Sequence, residues 1–207
     1  HKNFNSFKGS LIRLDKDDLV TLGGRLSSTL KEISVKLNYY NQNNGGNLDA
    51  SLYGFDASYK LNNKFNIGFG FEKQSGLDIE NLAFNPVFGT NHKFNGYMDY
   101  FYVGNHANSV GLEDKFISCN YTQSKFNLKI MYHIFNAVTE MDNNLDGDLG
   151  SEIDMSISYP FNKDINFSFG HSIYSATESM IHLKGGDLNE KNNWTYFMIT
   201  INPKLIP

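Results

Sequence analysis

The chain has 207 residues, with 17 Phe, 12 Tyr and 1 Trp against 18 Gly, 4 Pro and 1 Cys, and its net charge is -4 from 18 Lys+Arg and 22 Asp+Glu. That length buries one sizeable core in a single domain, 1–207. The absence of any basic block argues against nucleic acid as a partner, and the lone Cys119 excludes an internal disulfide framework or a cysteine-rich zinc site.

Mean hydropathy is -0.41. No stretch approaches the roughly 18–20 apolar residues of a spanning helix. A membrane β-barrel stays open, because its strands alternate apolar with polar residues and average out as polar.

The dominant signal has period two. Ile33, Val35, Leu37 and Tyr39 alternate with Ser34, Lys36, Asn38 and Tyr40. Tyr53, Phe55, Ala57 and Tyr59 alternate with Gly54, Asp56, Ser58 and Lys60. The same holds for Phe65 to Phe71, for Ile153 to Tyr159 and for Ile165 to Phe169. Successive strand side chains point to opposite faces, so each segment has one apolar and one polar face. The pattern predicts ten strands, at 10–15, 19–28, 31–42, 47–60, 63–74, 112–123, 126–138, 149–160, 163–176 and 192–203. In 112–123 and 192–203 the parity is ambiguous; Trp194, Tyr196 and Met198 compete with Phe197, Ile199 and Ile201 for the apolar face. Ten or eleven residues at about 3.3 Å each, tilted about 40–45°, span roughly 25 Å, the height of a lipid-facing band.

Tight turns are predicted at 27–29, 61–63, 122–124 and 161–163, and between them lie longer Gly/Asn-rich connections at 43–46, 75–111, 139–148 and 177–191. Short and long alternate, as in a transmembrane barrel with short turns at one rim and long loops at the other. A soluble lipocalin-like barrel has no reason to keep that asymmetry. A weak repeat marks the short turns: Tyr59-Lys60-Leu61-Asn62-Asn63-Lys64-Phe65 is echoed by Tyr159-Pro160-Phe161-Asn162-Lys163-Asp164-Ile165. Tyr at that level suits an aromatic girdle, and an ordinary hairpin repeat is the alternative.

By parity, Arg25, Lys36, Asp56, Glu72, Lys129, His133, Glu152, Asp154 and His171 are expected to line a lumen. Loop 75–111 carries Phe84, Phe88, Phe94, Tyr97, Tyr100, Phe101 and Tyr102, which would be costly in water. It is expected to fold over or into the barrel mouth, with packing on an outer rim or a partner protein as the alternative. Asp142, Asn144, Asp146 and Asp148, with Gly147 between, match the opening of a calcium loop. The pattern is incomplete, since Ile153 stands where the bidentate Glu belongs. That makes Ca2+ a candidate cofactor and a solvated acidic turn the alternative. No nucleophile elbow, phosphate loop or other catalytic set is present, and His92 and His106 have no partner pattern.

From Gly89 the chain resembles a known family. The stretch Gly89-Thr90-Asn91-His92-Lys93-Phe94-Asn95-Gly96-Tyr97-Met98-Asp99-Tyr100-Phe101, then Gly111-Leu112-Glu113-Asp114, Gly150-Ser151-Glu152-Ile153-Asp154 and Asn192-Asn193-Trp194-Thr195-Tyr196-Phe197-Met198 carry the likeness. Upstream, Asp17-Asp18-Leu19-Val20-Thr21-Leu22-Gly23-Gly24-Arg25 also fits. Together these resemble the alginate-export-like outer-membrane β-barrels of Bacteroidota. The resemblance implies an all-β, antiparallel up-and-down transmembrane barrel in the bacterial outer membrane. Family barrels are longer, so it also implies that the chain is the C-terminal part of a larger barrel. The expected role is a non-enzymatic channel for small polar solutes or saccharides, embedded in outer-membrane lipid. A non-conducting barrel binding an envelope partner protein is the second expectation, and a soluble barrel with its aromatic face turned inward the third.

Overall fold

The computed structural model describes residues 6–14 (backbone only), 19–86, 95–101 and 110–203, apart from the side chain of Asn143. Phe88, Phe94 and Tyr102, together with His92, His106, Asp17 and Asp18, lie outside the described residues.

Ten strands follow one another in a single antiparallel sheet. They are β1 (Ser6–Leu14), β2 (Leu19–Leu30), β3 (Ile33–Asn43), β4 (Asp49–Lys60) and β5 (Phe65–Gln74), then β6 (Leu112–Gln123), β7 (Phe126–Asn136), β8 (Asp148–Pro160), β9 (Ile165–Ser175) and β10 (Asn192–Ile201). Each strand pairs with its sequence neighbour, so the topology is up-and-down. Among the described residues, β1 and β10 each pair on one side only. The sheet is therefore open, as the wall of part of a barrel is.

Period two sorts the side chains. Ile117 is 60% exposed, Phe69 56% and Phe197 65%, all on the outer face. The opposite face carries the polar residues and encloses a cavity. The ambiguous parities resolve through register. Trp194, Tyr196 and Met198 pair with Ser172, Gly170 and Ser168 on the inner face, leaving Phe197, Ile199 and Ile201 outward. In β6 the register puts Asp114, Ser118 and Asn120 inward with Glu72, Gly68 and Asn66 of β5. Inward glycines make room for rings from the next strand. A Cβ at Gly70 would meet the Phe116 ring at 2.2 Å, and one at Gly170 the Tyr196 ring at 2.0 Å.

The outer face has layers. Tyr59, Phe65, Tyr159 and Phe161 are exposed near the short turns, and Tyr39 and Tyr53 nearer the other end. Between Tyr53 and Tyr59 the strand runs about 20 Å at ~3.3 Å per residue. Aliphatic Ile67, Ile117 and Ile130 fill the interval. Beyond it, Lys115 and Glu113 form an outward ion pair at 2.5 Å. Aromatic rings above and below an aliphatic band, with charge only outside it, are the profile of a lipid-facing barrel wall.

The short turns are set by local chemistry. Asn62 Oδ1 accepts from the N–H groups of Lys64 (2.8 Å) and Phe65 (3.0 Å). Asn162 Oδ1 accepts likewise from Asp164 and Ile165, both at 2.9 Å. The sequence repeat is thus one Asx turn used twice. The first hairpin differs from expectation: the turn falls at Lys31-Glu32, not 27–29, and β2 runs on to Leu30. Leu30 pairs with Ile33, and Thr29 Oγ1 hydrogen-bonds Ser34 Oγ at 3.0 Å, which carries the ladder past the serines.

The core sits at the long-loop end, on the inner side. Phe101 from the long loop packs with Leu112, Phe135, Leu149, Tyr174 and Met180. Leu149 enters through a register shift between Phe135 and Asn136, where Phe135 pairs with Gly150 and Asn136 with Asp148. Met180 comes from a short helix, α1 (Glu178–Lys184), whose N-terminus is capped by Thr177 Oγ1 accepting from Met180 N at 3.2 Å.

Placing Arg at position 117, in the middle of the lipid-facing band, is expected to destabilise the folded protein by about 2–4 kcal/mol. Asn120→Arg, on the inner face, should cost far less. Reversible urea unfolding from lipid vesicles compares the two.

Candidate functional site

The inner face of β2–β7 encloses a cavity of about 400 Å³. Arg25, Lys36, Asp56, Glu72, Lys129 and His133 line it, as do Asn95 of the long loop and Asp114 of β6. Three cations and several carboxylates thus share one polar chamber behind an apolar wall.

Toward β8 the inner face becomes a buried hydrogen-bonded network. Asn95 Nδ2 donates to Glu72 Oε1 (3.2 Å) and to Asp114 Oδ2 (3.1 Å), and Gln74 Nε2 donates to Glu72 Oε1 (2.8 Å). His133 Nδ1 contacts Asp114 Oδ1 at 2.9 Å, and His133 Nε2 lies 3.7 Å from Asp154 Oδ2. Ser172 Oγ donates to Asp154 Oδ1 at 2.5 Å. His133 therefore bridges the carboxylates of β6 and β8, and its ring stacks on Phe135 at 5.5 Å.

The long loop enters this network through backbone. The N–H groups of Tyr97 (2.6 Å) and Met98 (2.9 Å) both donate to Glu152 Oε1. Gly96 makes the approach possible, with φ 86 and a would-be Cβ only 2.5 Å from Glu152 Oε2. Its neighbour Asn95 is also left-handed, at φ 57. Two successive N–H groups thus converge on one carboxylate oxygen. Lys129 Nζ lies 5.8 Å from the centre of the Tyr97 ring, and the Tyr100 ring packs on Tyr174 at 4.6 Å. Residues 95–101 accordingly lie against the inner face and not on the outer rim. Burial, with the Glu152 charge second, raises the Tyr100 phenol above its usual range, and burial lowers the ammonium of Lys184 on α1.

Of the nine inward assignments, Arg25, Lys36, Asp56, Glu72, Lys129 and His133 line the chamber, and Glu152 and Asp154 are each 1% exposed in the network beside it. His171 is the exception and is corrected here. It shares its parity with Phe167 and Phe169, pairs with Thr195, and stands on the outer face. Thr195 Oγ1 meets His171 Nδ1 at 2.7 Å, which satisfies the imidazole without a lumen. Asp114, 2% exposed, was missed because the parity of its strand was ambiguous in sequence.

The acidic turn expected to offer calcium ligands makes local hydrogen bonds. Asp146 Oδ1 accepts from Asp148 N (3.0 Å) and from Ser179 Oγ (3.0 Å), and Asp148 Oδ1 accepts from Gly150 N (2.8 Å). Asp142 begins a one-turn 3-10 helix, Asp142–Asn144. Among the described residues no group of three or more His, Cys, Asp or Glu side chains could hold a metal ion. The carboxylates turn the chain and tie it to α1 instead of converging.

No family model matches the chain, and no curated protein matches it. Solved structures do. The NanC porin, in a rhombohedral crystal form, superposes with TM-score 0.54 at 8% identity, covering 95% of this chain and 92% of that one. A loop-L8 deletion mutant of OmpT, an outer membrane protein of Vibrio cholerae, superposes with TM-score 0.54 at 13% identity, covering 95% of this chain and 59% of that one. Those identities speak for the fold alone. The chain has the fold of these porin-like outer-membrane β-barrels, and its outer wall is apolar. The likeness to the alginate-export-like family rests on the sequence motifs.

His133→Leu would leave Asp114 and Asp154 without their bridging partner. A loss of about 1–3 kcal/mol is expected, as for leaving a buried acceptor without its hydrogen-bond partner, and the unfolding midpoint in detergent reads it.

Proposed function

We propose that this chain forms part of a passive outer-membrane channel for small polar solutes or saccharides. The observation that carries this reading is the polar chamber of about 400 Å³ behind an apolar, girdled outer wall. Water-filled lumens of barrels are lined in this way, and the mixed charge tunes which solutes pass. Passage needs no bond-making step and no cofactor.

The resemblance to alginate-export-like barrels of Bacteroidota favours a saccharide. The charge balance argues against an anionic polymer. Arg25, Lys36 and Lys129 face Asp56, Glu72 and Asp114, with Glu152 and Asp154 behind them. An uncharged or mixed-charge solute fits that lining better.

A second reading has its own support. Residues 95–101 and α1 pack into the inner side of β6–β9 around Phe101 and Phe135. Packing of that kind suits a plugged, non-conducting barrel that serves an envelope partner protein.

Planar-bilayer recording of the full-length polypeptide separates the two. Discrete conductance steps are expected, and Lys36→Glu together with Lys129→Glu should shift the reversal potential toward cation selectivity. A detergent-extracted barrel that never conducts would leave only the plugged reading.

A further inference from the structure

The inner face changes character from one side of the sheet to the other. Under β2–β7 it carries charge. β9 and β10 contain no Lys, Arg, Asp or Glu at all. On β8 the last inward acid is the buried Asp154, and Ser156 and Ser158 follow it down the strand. Register sets three columns side by side. Asp154, Ser156 and Ser158 stand opposite Ser172, Gly170 and Ser168 of β9, and these stand opposite Trp194, Tyr196 and Met198 of β10.

Trp194 is the single tryptophan of the chain. It faces inward with Tyr196, so neither ring serves the lipid girdle. The two ring centroids are 4.8 Å apart at an interplanar angle of 33°. The Tyr196 ring lies against β9 over Gly170, where a Cβ would stand 2.0 Å from it. Both aromatic residues are half-buried, as are Ser156, Ser158 and Ser168 beside them. Above Trp194 the column continues to Asn192, whose Oδ1 accepts from the Tyr100 hydroxyl at 3.3 Å. Tyr100, Tyr174 and Asn192 line a cavity of about 410 Å³ beside α1, at the long-loop end. A strip of aromatic rings, edged by hydroxyl groups and empty of exposed charge, thus runs down from that cavity.

A pyranose ring is apolar on its C–H faces and polar around its rim. Aromatic faces beside hydroxyl groups match both parts, and the lack of charge selects a neutral ring over an ionised one. We propose that Trp194 and Tyr196, with the hydroxyl groups of Ser156, Ser158 and Ser168, form a binding track for an uncharged pyranose saccharide. The inference rests on the channel reading for the route by which the saccharide arrives.

Isothermal titration calorimetry of the full-length polypeptide in detergent tests it. Maltohexaose is the probe, and sorbitol, which has hydroxyl groups and no ring, is the control. Wild type is expected to bind maltohexaose and not sorbitol. Trp194→Leu should weaken that binding about tenfold, the scale of a lost stacking contact. Trp194→Phe keeps a ring and should lose less, and Lys36→Glu, on the charged side of the lumen, should lose nothing. Wild type that fails to bind maltohexaose, or that binds sorbitol as well, would overturn the track. So would undiminished binding by Trp194→Leu, or an equal loss in Lys36→Glu. Trp194 emission gives a reading that does not depend on the leucine variant folding. Its change on adding maltohexaose, taken as the difference between wild type and Trp194→Phe, is expected to saturate, and no change would overturn the proposal. Planar-bilayer recording keeps the two failures apart. Conductance steps without saccharide binding overturn the track and leave the channel, whereas binding without steps keeps the track and removes the channel.

Discussion

Hydrocarbon supplies no hydrogen-bond partner, so a chain that lies in it must pair its own backbone. That constraint fixes nearly everything else here. It demands a ladder in which each strand meets its neighbour, and the up-and-down order β1 to β10 meets it with the shortest connections. It also couples the two faces. Every residue that turns toward lipid forces its neighbours to turn toward the interior, so the outer band of Ile67, Ile117 and Ile130 and the inner line of Gly68, Ser118 and Met131 are one pattern seen from opposite sides.

The interior then faces a different problem. Burying charge is costly unless the charge is paired or hydrogen-bonded. Near β3 and β4 the inner face opens on a chamber, and Lys36 and Asp56 stand opposite each other in register there, where water can reach them. Toward β8 the loop covers the face, and the acids must find donors among protein groups. His133, Ser172, Asn95 and the two loop N–H groups supply them. The loop that covers the site is therefore the one that satisfies it. Gly96 is the hinge of that arrangement, since any side chain there would occupy the space of the Glu152 carboxylate.

What the sequence revealed follows the range of the interactions. Period two and Asx turns are local, so all ten strands and the alternation of short and long connections were legible, and the repeat around Asn62 and Asn162 proved to be a repeated turn. The resolution failed where a partner lies far along the chain. His171 read as inward because it is polar, although its parity is that of Phe169; Thr195, on the next strand, is what lets it face outward. Asp114 was hidden because Phe116 and Ile117 compete for the apolar face of β6. The carboxylate of Glu152 was placed inward correctly, but its role as acceptor for Tyr97 and Met98 joins residues more than fifty positions apart. Asp146 and Asp148 illustrate the reverse case: a local pattern suggested convergence on an ion, and their carboxylates accept from Ser179 and from the chain's own backbone.

The edge strands carry the same logic to its end. On β10, Phe197, Ile199 and Ile201 keep the outer face apolar over the length of the strand, while Trp194 and Tyr196 keep the inner face aromatic and hydrogen-bonding. A strand at a water-exposed edge has no need of that profile, and edge strands in water are usually blunted by charge or proline. β10 has neither between Asn192 and Ile201. Its side chains are those of a barrel wall, so the apolar outer face and the aromatic inner face run unbroken to the last strand of the described sheet.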